Sequence, residues 1–219
     1  MTTPPREPGP PLPRKRWSRG KTIAFAVVVV IAVLVAVFSI TGKSKDNGQA
    51  HKLSTPQTLE KGAYSMTRSH KGGDVAGLQG GKGPGMHDMT GVSGSYAKMP
   101  RSTQHSILNF DGAYGTVSDP HRALSGLLTY MQDSGEGDVA VPAKETTPTG
   151  ASSPVTCEVT KTTGDNGKSA YLPMCAWADS GTVGVVAEND FGRPATSADA
   201  VDLDTFARKV DAIREEIRS

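Results

Sequence analysis

Aromatic residues are scarce in this chain of 219 residues: they make up 5% of the sequence, whereas glycine occurs 25 times and proline 15 times. Large aromatic side chains supply much of the buried area in a hydrophobic core. Their scarcity, together with so much glycine and proline, indicates one domain of modest size and a large part of the chain outside its core.

A net positive charge is also lacking over most of the chain, although the whole sequence has a formal net charge of +2. Residues 1–42 contain six lysines and arginines against one acid, whereas residues 43–219 contain 18 against 21 and have a net charge of −3. This distribution does not indicate the basic patch typical of a nucleic-acid-binding domain, and no nucleic-acid partner is predicted. Residues 1–21 are basic and rich in proline, and are predicted to form a disordered cytoplasmic tail.

Charge is absent altogether from residues 22–40, TIAFAVVVVIAVLVAVFSI. As a helix, this run would be about 28 Å long, close to the thickness of the hydrocarbon core of a bilayer. A cleaved signal peptide is the alternative, but its apolar core is typically about 7–15 residues long, and no small-residue cleavage site follows before Lys43. We therefore predict a transmembrane helix over residues 22–41, which holds the protein in the lipid bilayer.

Basic residues are more frequent before this segment than after it. Lys43 and Lys45 follow it, whereas a cluster of five basic residues lies directly before it: Arg14, Lys15, Arg16, Arg19 and Lys21. The positive-inside rule then predicts a single-pass protein of the cell membrane with a cytoplasmic N-terminus, and the five basic side chains are expected near anionic lipid headgroups. The C-terminal part of the chain is predicted to be extracytoplasmic.

Cysteine occurs only twice, at Cys157 and Cys175. An even number of cysteines in an oxidising compartment favours a disulfide bond between them. A metal site or a catalytic thiol would need further ligands or a base, and no histidine lies near either cysteine in the sequence. No cofactor is predicted.

Residues 42–103 contain few apolar residues and show neither the alternation of a strand nor the spacing of an amphipathic helix. We expect them to form a flexible, glycine-rich extracytoplasmic stalk. Within this segment, Met86, His87 and Met89 combine two thioethers with an imidazole, which are ligands suited to copper. Metal handling by these three residues is one alternative function.

Residues 104–219 contain the elements of an α+β domain. A strand over residues 105–115 precedes a helix that begins after Asp119, an N-cap residue followed by proline. A loop is expected over residues 133–154, followed by three strands and a C-terminal amphipathic helix. The predicted fold is a small antiparallel sheet in the order β-α-β-β-β-α, with both helices on one face. The charged side of the last helix is expected to be solvated; it comprises Arg208, Lys209, Arg214 and Glu215.

Two turn sequences, Asp165-Asn166-Gly167 and Asp179-Ser180-Gly181, each suit a three-residue hairpin loop ending on glycine. A first loop centred on Asn166 makes Cys157 face Cys175, at a separation that a disulfide bond accepts. A second loop centred on Ser180 makes Trp177 face Val183 and Cys175 face Val185. Pro173 argues against this strand assignment because proline cannot donate to a ladder, so pairing is expected to start after it or to include a bulge. Asp179 is expected to accept hydrogen bonds from backbone N–H groups of its turn, with catalysis as the alternative role.

The run CAWADSGTVGVV, followed by a terminal amphipathic helix containing AIREEI, resembles a C-terminal module of uncharacterised actinobacterial membrane-anchored proteins of the Streptomyces type. AYG, followed by DP and a helix at residues 113–120, is similar to an earlier part of the same module. The resemblance covers residues 104–218. It implies a single-pass protein at the cell surface and adds no chemistry.

These patterns predict a membrane-anchored extracytoplasmic module that binds or senses something at the cell envelope and is not an enzyme. Catalysis is a second alternative to this role, beside metal handling. An enzyme needs a base, a nucleophile or paired acids in one cleft, and the candidates are His105, Asp111 and His121. The enzyme alternative requires these three side chains to converge in a concave pocket.

Overall fold

The computed structural model describes residues 51–72, 77–98, 106–134, 137–151, 153–164 and 167–219. The predicted cytoplasmic tail and transmembrane helix lie outside the described residues, as does His105. Among the described residues, no helix has the length and apolar character needed to cross a membrane.

An antiparallel sheet of eight strands forms the centre of the described part of the chain, in the spatial order β1-β2-β3-β4-β8-β7-β6-β5. Consecutive strands pair directly except at the centre, where β4 pairs with β8. The strands are β1 (Thr58–Leu59), β2 (Tyr64–Lys71), β3 (Met86–Lys98), β4 (Ser106–Val117), β5 (Asp138–Thr146), β6 (Val155–Thr163), β7 (Ser169–Ala178) and β8 (Thr182–Asp190).

Two helices accompany the sheet, α1 (Pro120–Asp133) and α2 (Leu203–Ile217), and a short 3-10 helix (Ala198–Ala200) precedes α2. Each helix begins after an aspartate whose carboxylate accepts from a backbone N–H of the first turn. Asp119 accepts from Arg122 N at 3.0 Å, and Asp202 accepts from Thr205 N at 2.9 Å. These bonds satisfy N–H groups that have no partner within the helix, so the chain itself defines where both helices start.

The two helices pack on opposite faces of the sheet, so the prediction that both lie on one face is wrong. Side chains alternate along β7: Cys175 and Trp177 join the buried cluster that contains α2, whereas Met174 and Ala176 join the cluster that contains α1. The central strands are therefore buried on both faces. A continuous apolar run such as that of β8 reflects this double burial.

Part of the predicted flexible stalk is folded, because β1, β2 and β3 all lie within residues 42–103. β3 is 13 residues long and pairs with β2 on one side and β4 on the other. Its buried residues Met86 and Met89 are three apart because a bulge lies between His87 and Thr90. In a regular strand, buried and exposed residues alternate, and this alternation is the pattern that would have identified β3 from the sequence. The bulge breaks the alternation, so the strand was not predicted.

The predicted loop over residues 133–154 also contains a strand, β5, so residues 104–219 contain five strands where the expected β-α-β-β-β-α order has four. Strand β5 lies at the edge of the sheet, and its residues are exposed or half-buried. Its register with β6 shifts on both sides of Val141. An exposed, irregular edge strand lacks an apolar periodicity, which explains why the sequence pattern did not reveal it.

The first hairpin confirms the predicted register. Cys157 lies opposite Cys175 across β6 and β7, and the two form a disulfide bond. Gly164 N donates to Lys168 O at 3.0 Å and closes the predicted three-residue loop. Gly167 in that loop has a φ of 72°, the left-handed region that favours glycine.

The second hairpin differs from the prediction by one residue, because its loop consists of Ser180 and Gly181 alone. Asp179 N donates to Thr182 O at 2.8 Å. Trp177 therefore faces Gly184, not Val183, and Cys175 faces Val186, not Val185. The observed register places a glycine under the Trp177 ring, where a Cβ would lie 2.4 Å from a ring carbon.

Candidate functional site

A groove of about 250 Å³ lies where β7 and β8 separate. The β7–β8 ladder ends at the pair Met174–Ala187, although β7 begins earlier and β8 continues to Asp190. Beyond that pair, the two strands, the segment 193–202 and the first turns of α2 surround the groove. The groove therefore lies at a fork in the sheet, and α2 forms one side of it.

Pro173 lies at the point of the fork. It pairs with Val159 of β6 and is two residues from Cys175, whose Cα lies 4.0 Å from that of Cys157. So short a Cα–Cα separation is typical of a pair without hydrogen bonds between its two residues. Pair types alternate along a ladder, so the Val159–Pro173 pair, two positions away, is of the same type. Residues 173 and 175 therefore both direct their backbone groups away from β6, towards β8. Since proline has no N–H, it cannot extend the ladder with β8 beyond Met174. The expectation that pairing starts after Pro173 holds on the β8 side, whereas pairing with β6 runs through it.

A network of four buried or half-buried polar side chains lies at one end of the groove. Lys209 Nζ lies 2.7 Å from Glu188 Oε2 and donates to Tyr64 Oη at 3.0 Å. Ser106 Oγ donates to Glu188 Oε1 at 2.5 Å, and Tyr64 Oη donates to the same oxygen. The network joins β2, β4, β8 and α2, and it fixes the position of the lysine at the groove.

The protonation states in this network favour a structural and binding role over proton transfer. Burial raises the pKa of Tyr64, and its hydrogen bond to Glu188 adds to this effect. Burial acts against the charged forms of Glu188 and Lys209, but their mutual hydrogen bond outweighs it, so the pKa of Glu188 is lowered and that of Lys209 is raised. The site therefore holds a carboxylate, an ammonium and a neutral phenol.

The remaining lining of the groove combines apolar walls with two acids and one base, Arg193. Tyr171, Pro173 and Phe206 supply apolar surface, and Asp190 and Asp202 lie at its margin. Asp190 Oδ1 also accepts from the backbone N–H groups of residues 192 and 193, each at 3.0 Å. Such a mixture of apolar walls and a few fixed polar groups is typical of ligand-binding sites.

A second polar cluster lies near the other end of α2, around Asp179. This carboxylate accepts five hydrogen bonds, from Gly181 N, Thr182 N, Thr182 Oγ1, Arg214 and Arg218. Burial acts against its ionisation, but these hydrogen bonds outweigh it and lower the pKa of Asp179. The guanidinium of Arg214 also lies 5.6 Å from the centre of the Trp177 ring. The predicted turn-capping role of Asp179 agrees with these contacts, which occupy the carboxylate fully.

Sequence reasoning missed Lys209 and Arg214, which were expected on the solvated side of α2. Arg214 has only 1% of its surface exposed, and the Lys209 side chain only 19%. Both residues adjoin the apolar stripe of the helix, beside Val210 and Ile213. A position next to such a stripe is a signal that a long basic side chain can turn inwards along apolar surface.

The catalytic candidates do not share a groove in the described residues. Asp111 lines a second, smaller groove of about 110 Å³ on the α1 face, together with Ser93, Ser95 and Asn109. His121 lies in the first turn of α1, where it is exposed, and it is not part of that lining. His105 lies outside the described residues.

The candidate metal ligands, Met86, His87 and Met89, likewise lie in different surroundings. Met86 and Met89 are each only 6% exposed and belong to the apolar cluster that contains α1. His87 is exposed, and its Nδ1 lies 2.9 Å from Asp88 Oδ2. No group of three or more histidine, cysteine or acidic side chains suited to a metal ion occurs in the part of the chain that the structure describes.

Comparison with known proteins does not identify a family. No protein-family model matches the chain, and neither a curated protein nor a solved structure matches it significantly. The resemblance to actinobacterial membrane-anchored proteins therefore stays a prediction. The function has to be argued from the groove and its surroundings.

Proposed function

We propose that the protein is a membrane-tethered, extracytoplasmic binding module whose ligand occupies the groove between β7, β8 and α2. The observation that carries this proposal is the groove itself. It combines apolar walls with a fixed ion pair, Lys209–Glu188, at one end. Its volume of about 250 Å³ is close to the lower end of the range of small-ligand sites, about 300–1,000 Å³.

The disulfide bond supports the extracytoplasmic part of the proposal. Cys157 and Cys175 are linked across the hairpin, and such bonds persist in oxidising compartments. The apolar run at residues 22–40 precedes the domain and would supply its tether.

The position of the groove within the domain supports access by a ligand. The chain enters the domain beside the C-terminal end of α2, where Lys52 N donates to Ser219 O at 3.1 Å and Leu53 bridges to Arg218. The groove lies beside the first turns of α2, which is 15 residues and therefore about 22 Å long. The point where the chain enters the domain, before Leu53, is therefore at the opposite end of α2 from the groove.

The binding role is tested on the full chain in detergent micelles by thermal-shift screening of amino acids, short peptides and sugars. Ala195→Trp places a large ring in the groove and should abolish the stabilisation that any true ligand produces. Ala143→Trp, on the exposed strand β5, is the matched control and should leave the stabilisation unchanged. A ligand that stabilises the Ala195→Trp variant as much as the unmodified chain would contradict the groove as its site.

The location is tested separately by protease treatment of intact cells that express the full chain. The domain should be degraded from outside, and a protected membrane fragment should remain. Degradation that occurs only after the cells are lysed would contradict the proposed orientation.

A further inference from the structure

We propose that the outer edge of β2 is a second interaction surface, which pairs antiparallel with an extended acidic segment of a partner protein. This surface, the β2 edge, comprises residues 67–71. It is separated from β8 by β3 and β4 and is not part of the groove lining, so it does not depend on the function proposed above. Three observations support it: unpaired backbone groups, the contrast with the other edge of the sheet, and the charge of β2.

Only the first residues of β2 have a partner on the outer side of the strand. β1 pairs with Tyr64 and Ser65, and Met66 N donates to Gln57 O at 2.9 Å. In the part of the chain that the structure describes, no segment pairs with the outer side of residues 67–71, and all five are exposed.

The register shows which backbone groups the β2 edge offers. Gly72 N donates to Gly91 O of β3 at 2.7 Å, and residues 68–71 pair with β3 in the same register. Alternate residues of an antiparallel strand face the same neighbour, so residues 68, 70 and 72 direct their N–H and C=O groups towards β3. Ser69 and Lys71 therefore direct theirs outwards, where each offers one donor and one acceptor to an added strand.

The opposite edge of the sheet is protected against such pairing. Strand β5 contains Pro142, and its register with β6 shifts on both sides of Val141. Proline and bulges are devices by which natural edge strands avoid association. In β2, by contrast, the pairing with β3 is regular from Arg68 to Lys71. The β2 edge is therefore the edge that can accept a further strand.

The charge of this edge selects an acidic partner. Residues 61–73 contain Lys61, Arg68 and Lys71 and no acid; the next acid, Asp74, lies outside the described residues. Arg68 and Lys71 are exposed, and within the described residues neither forms an ion pair with a carboxylate. Like charges disfavour pairing with the β2 edge of a second copy, whereas carboxylates opposite the two basic side chains are favoured.

The two basic side chains lie on opposite faces of the sheet, which defines the spacing of acids in the partner. Arg68 lines the smaller groove on the α1 face. Lys71 lies opposite Val92, which belongs to the buried cluster that contains α2. Cross-strand neighbours share a face, so an added strand meets both charges when two of its acids are three positions apart.

The test measures fluorescence anisotropy of a labelled hexapeptide, Val-Glu-Thr-Val-Glu-Thr, with the full chain in nonionic detergent micelles. One comparison peptide has lysine in place of glutamate. A second is methylated on the backbone nitrogens of its second and fourth residues, which would face Lys71 and Ser69. A third, the positional control, is methylated on the third and fifth nitrogens, which would face away from β2. The methylated peptides keep their charge, so they also report attraction to the basic residues 1–21 that does not involve strand pairing.

Two pairs of protein variants test the backbone and the charge of the β2 edge. Ser69→Pro removes an outward N–H and leaves the bonds to β3 in place, and Ser69→Ala is its matched control. The double variant Arg68→Gln with Lys71→Gln removes both charges. Lys144→Gln with Lys168→Gln removes two exposed charges at the other end of the sheet and is the control. Circular dichroism and a thermal midpoint for each variant establish that it is folded.

The glutamate peptide should bind. The lysine peptide and the peptide methylated on its second and fourth nitrogens should bind at least about tenfold more weakly, whereas the positional control should bind like the parent. Ser69→Pro should weaken binding of the glutamate peptide about fivefold through the loss of one backbone hydrogen bond. The double glutamine variant should weaken it about fivefold, as expected for two exposed charge pairs. Both control variants and the groove-blocking Ala195→Trp should bind normally.

Several outcomes would overturn this assignment. Absence of binding, or equal binding of the glutamate and lysine peptides, would show that the β2 edge does not select an acidic strand. Equal binding of the parent and both methylated peptides would rule out strand pairing. Undiminished binding to Ser69→Pro and to the double glutamine variant would place the peptide elsewhere on the chain. None of these results bears on the groove, which is tested by its own ligand screen.

Discussion

Cys157 and Cys175 lie directly opposite each other in β6 and β7, and their disulfide bond is buried beside Trp177 and the apolar face of α2. The bond fixes the register of the hairpin from which β7 leads to Pro173 and the fork. The same register thus determines which backbone groups face the groove. The stretch PMCAWADSGTVGVV is therefore the centre of the sheet, and the groove lies at its beginning, around Pro173.

The disulfide bond should contribute strongly to stability. Replacement of both cysteines by alanine should lower the free energy of unfolding by about 2–4 kcal/mol, because it removes a cross-link from the unfolded chain and apolar sulfur atoms from the core. Urea denaturation of the full chain in micelles measures the change. In the unmodified chain, both thiols should react with an alkylating reagent only after reduction, as intact mass shows. Two thiols that react without reductant would contradict the bond.

Asp179 should be essential to the hairpin and to the end of α2. The Asp179→Ala variant leaves the buried guanidinium of Arg214 without its carboxylate partner, and breaking a buried pair in this way typically costs about 3–5 kcal/mol. Urea denaturation at neutral pH checks this. The Asp138→Ala variant, at an exposed position in β5, should have little effect and serves as the control.

The pH dependence of this contribution has a definite sign. The pKa of Asp179 is lower in the folded state than in the unfolded state, so the folded chain binds fewer protons there. The stabilisation should be complete above the unfolded value, about pH 4, and should be lost as the pH falls through the folded value. The Asp179→Asn variant should show a smaller loss of stability than the unmodified chain in this acid range. Equal acid dependence in both proteins would show that Asp179 is not responsible.

Glu158 should give stability a pH dependence of the opposite sign to that of Asp179. It is fully buried in β6 against the α1 side; its Oε1 has no hydrogen-bond partner, and its Oε2 accepts from Gln132 Nε2 at 3.4 Å. Burial raises the pKa of Glu158, so the folded chain retains a proton that the unfolded chain loses. Stability should therefore fall as the pH rises above about 4, the unfolded value.

The Glu158→Gln variant tests this contribution. A neutral side chain of the same shape should raise the free energy of unfolding by about 1 kcal/mol or more at pH 8, and by less at pH 4. Urea midpoints at the two pH values give the comparison. The Glu145→Gln variant, at an exposed position of β5, is the matched control and should be neutral. A Glu158→Gln variant that is destabilised equally at both pH values would contradict a proton held in the core.

Local features of the fold could be predicted from sequence, whereas long-range pairing could not. The Cys157–Cys175 register depends on a five-residue turn region, and the α1 start depends on Asp119 and Pro120 alone. The β4–β8 pairing joins Ser106 to Asp190 across more than 80 positions of sequence, and no local pattern encodes it. The one-residue difference at the second hairpin arose because Asp179 accepts from Gly181 N and Thr182 N and closes a shorter loop.

The groove could not be predicted from the sequence for the same reason, because its residues are far apart in the chain. Its network joins Tyr64, Ser106, Glu188 and Lys209, which come from four separate elements. Tyr64 lies in the segment expected to be a stalk, and Lys209 was assigned to a solvated surface. The one local signal was Pro173, whose missing N–H indicated that pairing would be interrupted near it.

Pro173 should determine where the fork opens, and its replacement should partly close it. In a Pro173→Ala variant, the new backbone N–H at residue 173 faces the C=O of Glu188, because the register continues from the Met174–Ala187 pair. The ladder should gain this bond, and the amide at residue 173 should exchange with solvent at least about tenfold more slowly than an unprotected amide. Hydrogen exchange followed by mass spectrometry of the full chain measures this.

The same substitution should weaken whatever binds in the groove, because the two strand edges approach each other where the ligand would lie. A Pro142→Ala variant is the control, since Pro142 is exposed in β5 and lies outside both the groove lining and the β7–β8 ladder. It should leave both the exchange of the β7 amides and ligand binding unchanged. An unprotected amide at residue 173 would mean that α2 and the segment 193–202 hold the strands apart without help from the proline.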